Sequence, residues 1–392
     1  MLSPTVALCR LRALPEGPFV LDVVAGRPGV WVVGGAVRDA LLDRAPRELD
    51  LVVEGDPGPV VAALGGDAVV HERFGTATVA LGDGVTVDVA QARTETYVAP
   101  GSLPDVTPAT VVDDLRRRDV SVNAIALRPD GAGVPEVVQV EGALEDLEAG
   151  VLRVLHDQSF RDDPTRLWRV ARYAARLGFA PDAHTTTLAK RADPQTVSGA
   201  RLGNELRLAL READPLAALR AAAALNSRLL PAAVDLDPRR LPDALALLGD
   251  GGRTDLVTLA SCCGTVDSAA LVAWLSELGF ASAELDIVAA GSRASTYLPL
   301  HLATTGAQIA RAVRGVPPEV VALAGGEQAR RWLHELRDVR LHITGEDLKA
   351  AGVPEGPAIG RVLQHVLDQR LDGTLAGGRE AELTAARIAS TT

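Results

Sequence analysis

The stretch GGAVRD at residues 34–39, followed by ELD at residues 48–50, decides the fold of the first part of this chain. The apolar run 30–33 before it predicts a strand, the two glycines a turn, and the residues after them a short helix leading into a second strand. Because side chains alternate along a strand, Glu48 and Asp50 are expected to point the same way while the leucines beside them face the core.

Together, the glycines and the acidic pair are suited to holding a nucleoside triphosphate with its magnesium. Glycine lets backbone N–H groups approach a phosphate, and the start of a helix favours an anion. Paired carboxylates can hold Mg²⁺, which activates an attacking hydroxyl and neutralises the leaving pyrophosphate. The alternative is a solvated strand end. We predict that Glu48 and Asp50 are catalytic metal ligands, that Asp88 on a neighbouring strand is a third candidate, and that Gly34, Gly35 and Arg38 hold the triphosphate.

Size, hydropathy and charge narrow the class of protein. The 392 residues, 47% of them apolar, suffice for two to four domains, and no apolar run reaches the roughly 18 residues of a membrane helix. Three cysteines and the lack of a secretory signal pattern favour the cytoplasm. The net charge of −11 argues against bulk attraction to nucleic acid, yet between residues 161 and 211 nine arginines and Lys190 face five acids. That segment is therefore locally basic.

The secondary-structure patterns predict an α+β fold in which a mixed α/β unit is followed by a long helical remainder. Valine-rich or alternating runs predict strands over 30–33, 49–53, 77–81, 85–90 and 125–127, and the Pro- and Gly-rich segment 92–108 predicts a mobile loop. From about residue 144 the pattern becomes helical. The helices expected are 165–177, 203–211, 215–223, 241–248, 269–278, 328–336 and 358–371.

A second constellation, DLRRRDVSVNA at residues 114–124, joins three arginines to an apolar alternation. The change from charged residues to apolar alternation at Val120 predicts a strand that enters the core. Arg118 would lie just before this strand, where its guanidinium can bind a phosphate through two hydrogen bonds. A solvated charged face is the alternative.

A third constellation, RDDPTRLWRVAR at residues 161–172, is suited to reading a nucleobase. Asp163 and Arg166 are three residues apart and are expected on one helix face, with Arg169 and Arg172 continuing the stripe. A carboxylate accepts from an exocyclic amine and a guanidinium donates to a ring nitrogen, a pair of groups that cytosine and adenine both offer. The alternative is a ladder of intrahelical salt bridges, worth about 0.2–0.5 kcal/mol per pair.

In this order and spacing, the three stretches resemble the class II tRNA nucleotidyltransferase family, which comprises CCA-adding enzymes and bacterial poly(A) polymerases. GGAVRD with ELD resembles the family's GG-x-V-R-D and D-x-D motifs, residues 117–124 its R-R-D-F-T-x-N-A motif, and residues 162–166 its E-D-x-x-R motif. Phe74-Gly75-Thr76, the segment 93–97 and the far end at 342–360 also fit. The resemblance spans about residues 28–373.

The resemblance implies a nucleotidyltransferase-type mixed-sheet head over 1–143, then an elongated helical neck (144–212), body (213–300) and tail (301–392). It implies template-independent addition of C and A from CTP and ATP to a tRNA 3′ end, with Mg²⁺ as cofactor and no membrane or obligate protein partner. On this basis the nucleotide ligands are Gly34, Gly35, Arg38, Arg118, Asn123, Asp163, Arg166, Arg169 and Arg172.

Three positions depart from the family pattern: Glu48 and Val120 stand where it has Asp and Phe, and Asp162 stands where it has Glu. The extra methylene of Glu48 moves its carboxylate by about 1.5 Å, a displacement large enough to change the catalytic rate. Other activities remain open: addition of CC only or A only, poly(A) synthesis, an aminoglycoside-type nucleotidyltransferase, and a non-catalytic RNA-binding module.

Overall fold

The computed structural model describes residues 1–46, 48–71, 75–129 and 135–390, so Phe74 of the predicted motif lies outside the described residues. The chain divides into two compact units, Met1–Leu230 and Pro231–Thr392. The four-part division into head, neck, body and tail stays a prediction. No described helix has both the length and the apolar character needed to cross a bilayer.

The first unit contains the strands of the structure. They are β1 Val30–Val33, β2 Leu49–Val53, β3 Asp67–His71, β4 Thr76–Gly82, β5 Val85–Gln91, β6 Arg93–Thr96, β7 Asp105–Pro108, β8 Ile125–Pro129, β9 Pro135–Gln139, β10 Val151–Leu152 and β11 Ala180–Pro181. Seven of them form one mixed sheet in the order β3-β4-β5-β2-β1-β8-β9. The pair β2–β5 is parallel and the other pairs in this sheet are antiparallel.

Helices surround this sheet and continue beyond it. Those of the first unit are α1 Pro4–Arg12, α2 Gly17–Ala25, α3 Gly35–Leu41, α4 Gly58–Leu64, α5 Val111–Arg116, α6 Ala143–Ala149, α7 Ser159–Asp162, α8 Arg166–Leu177, α9 Ala183–Arg191, α10 Gly199–Leu210 and α11 Pro215–Leu225.

The described residues of the second unit contain helices and no strand. The helices are α12 Leu241–Leu248, α13 Thr254–Cys262, α14 Ser268–Glu277, α15 Ser282–Gly291, α16 Leu298–His301, α17 Gly306–Ala312, α18 Pro318–Ala324, α19 Gly326–Arg331, α20 Gly345–Ala350, α21 Pro357–Leu371 and α22 Arg379–Ser390. A π-helical turn, Trp332–Leu336, extends α19 and completes the helix predicted over 328–336.

The centre of the sheet is set by the apolar sequences of β1 and β2. All four residues of β1 are buried, and in β2 only Asp50 is partly exposed. Trp31, Val33 and Val52 pack in one core cluster, as expected for strands with neighbours on both sides. The strand–turn–helix–strand unit predicted from residues 30–53 is therefore present, and it places the partly exposed Asp50 near the start of the buried strand β2.

Two local predictions are wrong. The segment 92–108, expected as a loop, contains the antiparallel pair β6–β7, because Ala92 is fully buried and its backbone bonds to both Val53 and Ala109. The strand predicted from Val120 is a 3₁₀ turn over Ser121–Asn123, and the strand begins only at β8. The helical remainder also contains one short parallel pair, β10–β11.

Candidate active site

One cavity of about 570 Å³ in the first unit brings together the sites predicted from all three constellations. Its walls come from the turn before α3, the start of β2, the segment after α5, and α8. Among the predicted residues, those lining it are Gly34, Gly35, Arg38, Glu48, Asp50, Arg118, Asn123, Asp163, Arg166, Arg169 and Arg172. The carboxylates and the predicted base-reading residues therefore share one space, as a nucleotide-binding site requires. Their individual roles stay predictions.

Asp50 lies between two other carboxylates. Parallel pairing of β2 with β5 sets its Cα opposite that of Asp88, and Glu48 lies in the segment just before β2. Burial, and next the negative charge of Glu48, raise the pKa of Asp50 to about 6, although Arg118 acts in the opposite direction. The structure thus concentrates acidic side chains around the start of β2.

Asp88, the third candidate ligand, is exposed, and unlike Glu48 and Asp50 it does not line the larger cavity. It accepts a hydrogen bond from the Thr78 hydroxyl at 2.6 Å, and it lines a neighbouring cavity of about 400 Å³ together with Asp50 and Arg118. It is absent from the lining of the larger cavity. Asp88 therefore lies beside Asp50 on the neighbouring strand but outside the larger cavity.

The donor set fits a magnesium ion that also binds a substrate phosphate. Among the described residues, no group of three or more His, Cys, Asp or Glu side chains converges as a metal site. Mg²⁺ in nucleotide enzymes is commonly held by one or two carboxylates, with water and phosphate oxygens completing the octahedron. Glu48 and Asp50 can supply those two carboxylates, and a cation there would offset the repulsion that raises the pKa of Asp50.

The turn at Gly34 allows a close approach of Arg118 to the carboxylates. Gly34 has φ 71° and ψ −134°, a conformation that side chains rarely adopt. A Cβ built on it would lie 3.0 Å from Arg118 Nη1 and 3.7 Å from Asp50 Oδ2. Arg118 donates to Asp114 at 3.0 Å, and its Nε is buried with no hydrogen-bond partner among the described residues. Arg118 therefore lines the cavity with one donor that has no partner among the described residues.

Gly34→Ala is therefore expected to lower both stability and affinity for the nucleotide. The strained backbone should cost about 1–3 kcal/mol in the free energy of unfolding, and the new methyl group should displace the Arg118 guanidinium. Denaturant titration and the KM for nucleotide measure the two effects. Gly26→Ala is the matched control, because Gly26 has an ordinary φ of −74° and its Cβ would make only normal contacts. A normal KM in Gly34→Ala would contradict the expectation.

A buried polar network holds several of the arginines that line the cavity. Arg38 is only 2% exposed and donates to Asp39 at 2.8 Å and to Asn123 at 2.6 Å. Asn123 in turn donates a hydrogen bond to Asp119, which belongs to the same buried network. Arg38 is therefore a nearly buried part of the cavity lining, and its hydrogen bonds to Asp39 and Asn123 hold it in place.

Asp119 connects this network to α8. Its Oδ2 accepts from Arg169 Nε at 2.8 Å and from the Tyr173 hydroxyl at 3.0 Å. Burial acts to raise the pKa of Asp119, but the charge of Arg169 and the hydrogen bond from Asn123 outweigh it and hold that pKa well below its usual range. Asp119 is consequently a buried carboxylate that stays ionised and organises two arginine-bearing elements.

The geometry of the third constellation differs from the prediction. Helix α8 begins at Arg166, and Asp163 precedes it in extended backbone with φ −138°, so the two do not share a helix face. Asp163 pairs with Arg201 at 3.0 Å, and Arg166 donates to Ser159 and to the Arg117 carbonyl. Asp163 and Arg166 nonetheless both line the cavity.

The salt-bridge ladder that was the alternative to base reading is also not what α8 forms. Arg169 pairs with Asp119, and Arg172 pairs with Glu205 on α10 and with Glu212 beyond it. Each of these carboxylates belongs to another part of the fold. The arginines of α8 are therefore held by tertiary contacts in fixed positions along one wall of the cavity.

The sequence is similar to known proteins over almost its whole length. Residues 30–153 match the Poly A polymerase head domain family. The CC-adding tRNA nucleotidyltransferase of Deinococcus radiodurans is 37% identical, over 91% of this chain and 88% of that protein. The A-adding tRNA nucleotidyltransferase of Geobacter sulfurreducens is 33% identical over 98% of this chain, which spans about half the length of that relative, 47%.

A CCA-adding enzyme in complex with CTP has the same fold, with a TM-score of 0.73 at 27% sequence identity, covering 98% of this chain and 97% of that one. The chain belongs to the tRNA nucleotidyltransferase family. The match includes the helical remainder, which an aminoglycoside-type nucleotidyltransferase does not explain. The resemblance seen in the sequence is thus confirmed at the level of family and fold.

Six residues of the cavity wall were not among the predicted ligands of this family member: Glu95, Tyr97, Arg117, Asp119, Tyr173 and Arg176. Tyr173 and Arg176 could have been found by extending the stripe of α8 by one helical turn from Arg169 and Arg172. Glu95 lies in the segment 93–97 that fits the family pattern, but its place at the cavity depends on the unpredicted hairpin β6–β7. Glu95 accepts from Arg117 at 2.8 Å and so joins that hairpin to the second constellation.

Proposed function

We propose that this chain is a template-independent nucleotidyltransferase that adds C, A or both from CTP and ATP to the 3′ end of tRNA, in the cytoplasm, with Mg²⁺ as cofactor. The observation that supports it is the single cavity in which the carboxylate pair of β2 and the Asp163–Arg166 pair lie together. The named activities of the relatives, A-adding and CC-adding, point to the same reaction.

Different residues of the cavity bind the triphosphate and the base of the nucleotide. Arg118, with its unpartnered Nε, and Arg169 of α8 supply positive charge for the triphosphate. At the far end, Asp163 accepts from the exocyclic amine of cytosine or adenine, and Arg166 donates to the adjacent ring nitrogen. Guanine and uracil present an N–H and a carbonyl there, which would leave both protein groups unpaired at about 1–3 kcal/mol each.

The reaction is an in-line displacement at the α-phosphorus. The 3′ hydroxyl of the tRNA gives its proton to solvent water and forms the new P–O bond, the α–β phosphoanhydride bond breaks, and pyrophosphate leaves with the electron pair. Mg²⁺ held by Glu48 and Asp50 would lower the pKa of that hydroxyl and neutralise the leaving group. Arg118 and Arg169 orient the triphosphate so that the α-phosphorus faces Glu48 and Asp50.

Incorporation into truncated tRNAs tests the proposal and selects among its forms. The protein is incubated with tRNA lacking the last one, two or three nucleotides, with labelled CTP or ATP alone and with both. C on the shortest tRNA followed by A identifies CCA addition, C alone or A alone identifies the partial enzymes, and long A tracts identify poly(A) synthesis. No incorporation into any of these would leave a non-catalytic RNA-binding module and overturn the proposal.

Asp163→Ala is expected to lower incorporation of the correct nucleotide and to relax rejection of UTP and GTP by about 10–100-fold. The reason is that the acceptor for the exocyclic amine is removed, so a base that lacks that amine no longer leaves a buried group unpaired. The ratio of kcat/KM for CTP or ATP to that for UTP or GTP measures the effect. Asp157→Ala is the control, because Asp157 lies nearby in the sequence but is exposed and pairs only with His184 in the described structure. Unchanged selectivity in Asp163→Ala would show that Asp163 has only a structural role.

A further inference from the structure

The Asp163 carboxylate is held by one of its two oxygens. Oδ1 accepts three hydrogen bonds: from the Thr165 backbone N–H at 3.1 Å, from the Thr165 hydroxyl at 2.7 Å and from Arg201 Nη2 at 3.0 Å. A carboxylate oxygen has two lone-pair directions, so three donors saturate it. Asp163 Oδ2 has no protein donor among the described residues, although Asp163 lines the cavity.

Arg201 contributes the charged donor of these three from outside the cavity. It lies on α10, far along the sequence from the three constellations, and does not belong to the cavity lining. Its Nη1 donates to the Gly101 carbonyl at 3.0 Å, which fixes the guanidinium at its other end. Arg201 is the one charged donor of these three, so its bond adds to the hydrogen bond a Coulombic attraction that the two Thr165 bonds lack.

We infer that Arg201 is a positioning residue that sets the base selectivity of the site through Asp163, without contacting the nucleotide. Saturating Oδ1 prevents the carboxylate from rotating and leaves Oδ2 as a single fixed acceptor toward the base. The amine at C4 of cytosine or C6 of adenine donates to that acceptor, whereas the carbonyl at C4 of uracil or C6 of guanine is repelled by it. This inference rests on the proposed base-reading role of Asp163.

Arg201→Gln is expected to lower the selectivity ratio for CTP or ATP over UTP and GTP by about tenfold, with a smaller loss of kcat for the correct nucleotide. Arg201→Lys should restore part of the ratio, because an ammonium can still donate to Oδ1. Thr165→Val, which removes only the hydroxyl donor, should lower the ratio by a smaller factor. Arg191→Gln, an exposed arginine at the end of α9, is the control and should leave the ratio unchanged.

The decisive comparison is Arg201→Gln made in the Asp163→Ala background. If Arg201 acts through Asp163, the double variant has the selectivity of Asp163→Ala alone, since the group that Arg201 positions is gone. A general structural role would instead add a second loss. If Arg201→Gln folds poorly, the same comparison is made with Arg201→Lys and Thr165→Val, each alone and in the Asp163→Ala background.

The outcomes separate this inference from the proposed function. Wild-type selectivity in Arg201→Gln and Thr165→Val, alongside lost selectivity in Asp163→Ala, overturns the positioning role and leaves base reading intact. Unchanged selectivity in Asp163→Ala overturns base reading and this inference together. Absence of incorporation by the wild-type protein overturns the proposed activity, and with it both.

Discussion

Asp50→Asn is expected to abolish nucleotide incorporation and at the same time to stabilise the protein. The amide keeps the size of the side chain but cannot serve as an anionic ligand, so incorporation should fall by about 10³-fold or more. Labelled-nucleotide incorporation into truncated tRNA measures this loss. Binding of tRNA, measured separately, should be retained, because the described contacts of Asp50 are confined to the cavity.

The gain in stability follows from the raised pKa of Asp50. A carboxyl group whose pKa is about 6 in the folded protein, against 3.8 ordinarily, is ionised at pH 7 at a cost to the folded state on the order of 1–3 kcal/mol. This cost grows as the pH rises from about 4 to about 6. The amide of the Asp50→Asn variant carries no charge, so this variant without metal should unfold at a higher temperature at pH 7, and the difference should disappear near pH 4.

Asp67→Asn is a matched control, because Asp67 is exposed on the edge strand β3 and is expected to change neither quantity. A second substitution, Glu48→Asp, tests whether the longer side chain of Glu48 limits the rate of incorporation. It should retain turnover, whereas Glu48→Ala should lose it. An Asp50→Asn protein with near-normal turnover would show that the carboxylate pair is not the catalytic centre.

Asp119→Asn is expected to destabilise the first unit by about 2–4 kcal/mol and to weaken nucleotide binding. The Asp119 side chain is only 6% exposed, and N–H donors face both of its oxygens. Whichever way the amide is placed, its NH₂ group meets a donor, and Arg169 loses its anionic partner. Urea denaturation and the KM for nucleotide measure the two losses.

The pH dependence provides a second measurement on Asp119. Because its pKa is lower in the folded than in the unfolded protein, its contribution is fully present above about pH 4 and is lost as the pH falls toward the depressed value. The difference in stability between wild type and Asp119→Asn should therefore shrink in acid. Asp113→Asn is the control, since Asp113 pairs with Arg116 on the surface. Equal stability of Asp119→Asn and wild type at pH 7 would contradict the role of this network.

The parts of the site that could be predicted from the sequence are those whose geometry is local. The turn at Gly34, the alternation that exposes Asp50 between buried leucines, and the helix of Arg169 and Arg172 each follow from a few neighbouring residues. The prediction that Asp163 lies on α8 was wrong. Sequence signals locate the start of a helix only to within a few residues, and α8 begins after Asp163. The intrahelical ladder, which was the alternative to base reading, does not form because the partners of Arg169 and Arg172 lie in other elements.

The amino-acid sequence by itself determined the family, the strand–turn–helix–strand unit around residues 30–53 and the chemical types of the groups in the site, because periodicity and turn chemistry are short-range. Only the tertiary structure decided which charged groups meet. Parallel pairing of β2 with β5 brought Asp88 opposite Asp50, and packing against α8 and α10 joined Asp119 to Arg169 and Asp163 to Arg201. These pairs are 38 to 50 residues apart in the chain, and burial of the surrounding apolar side chains, rather than any local pattern, sets their distances.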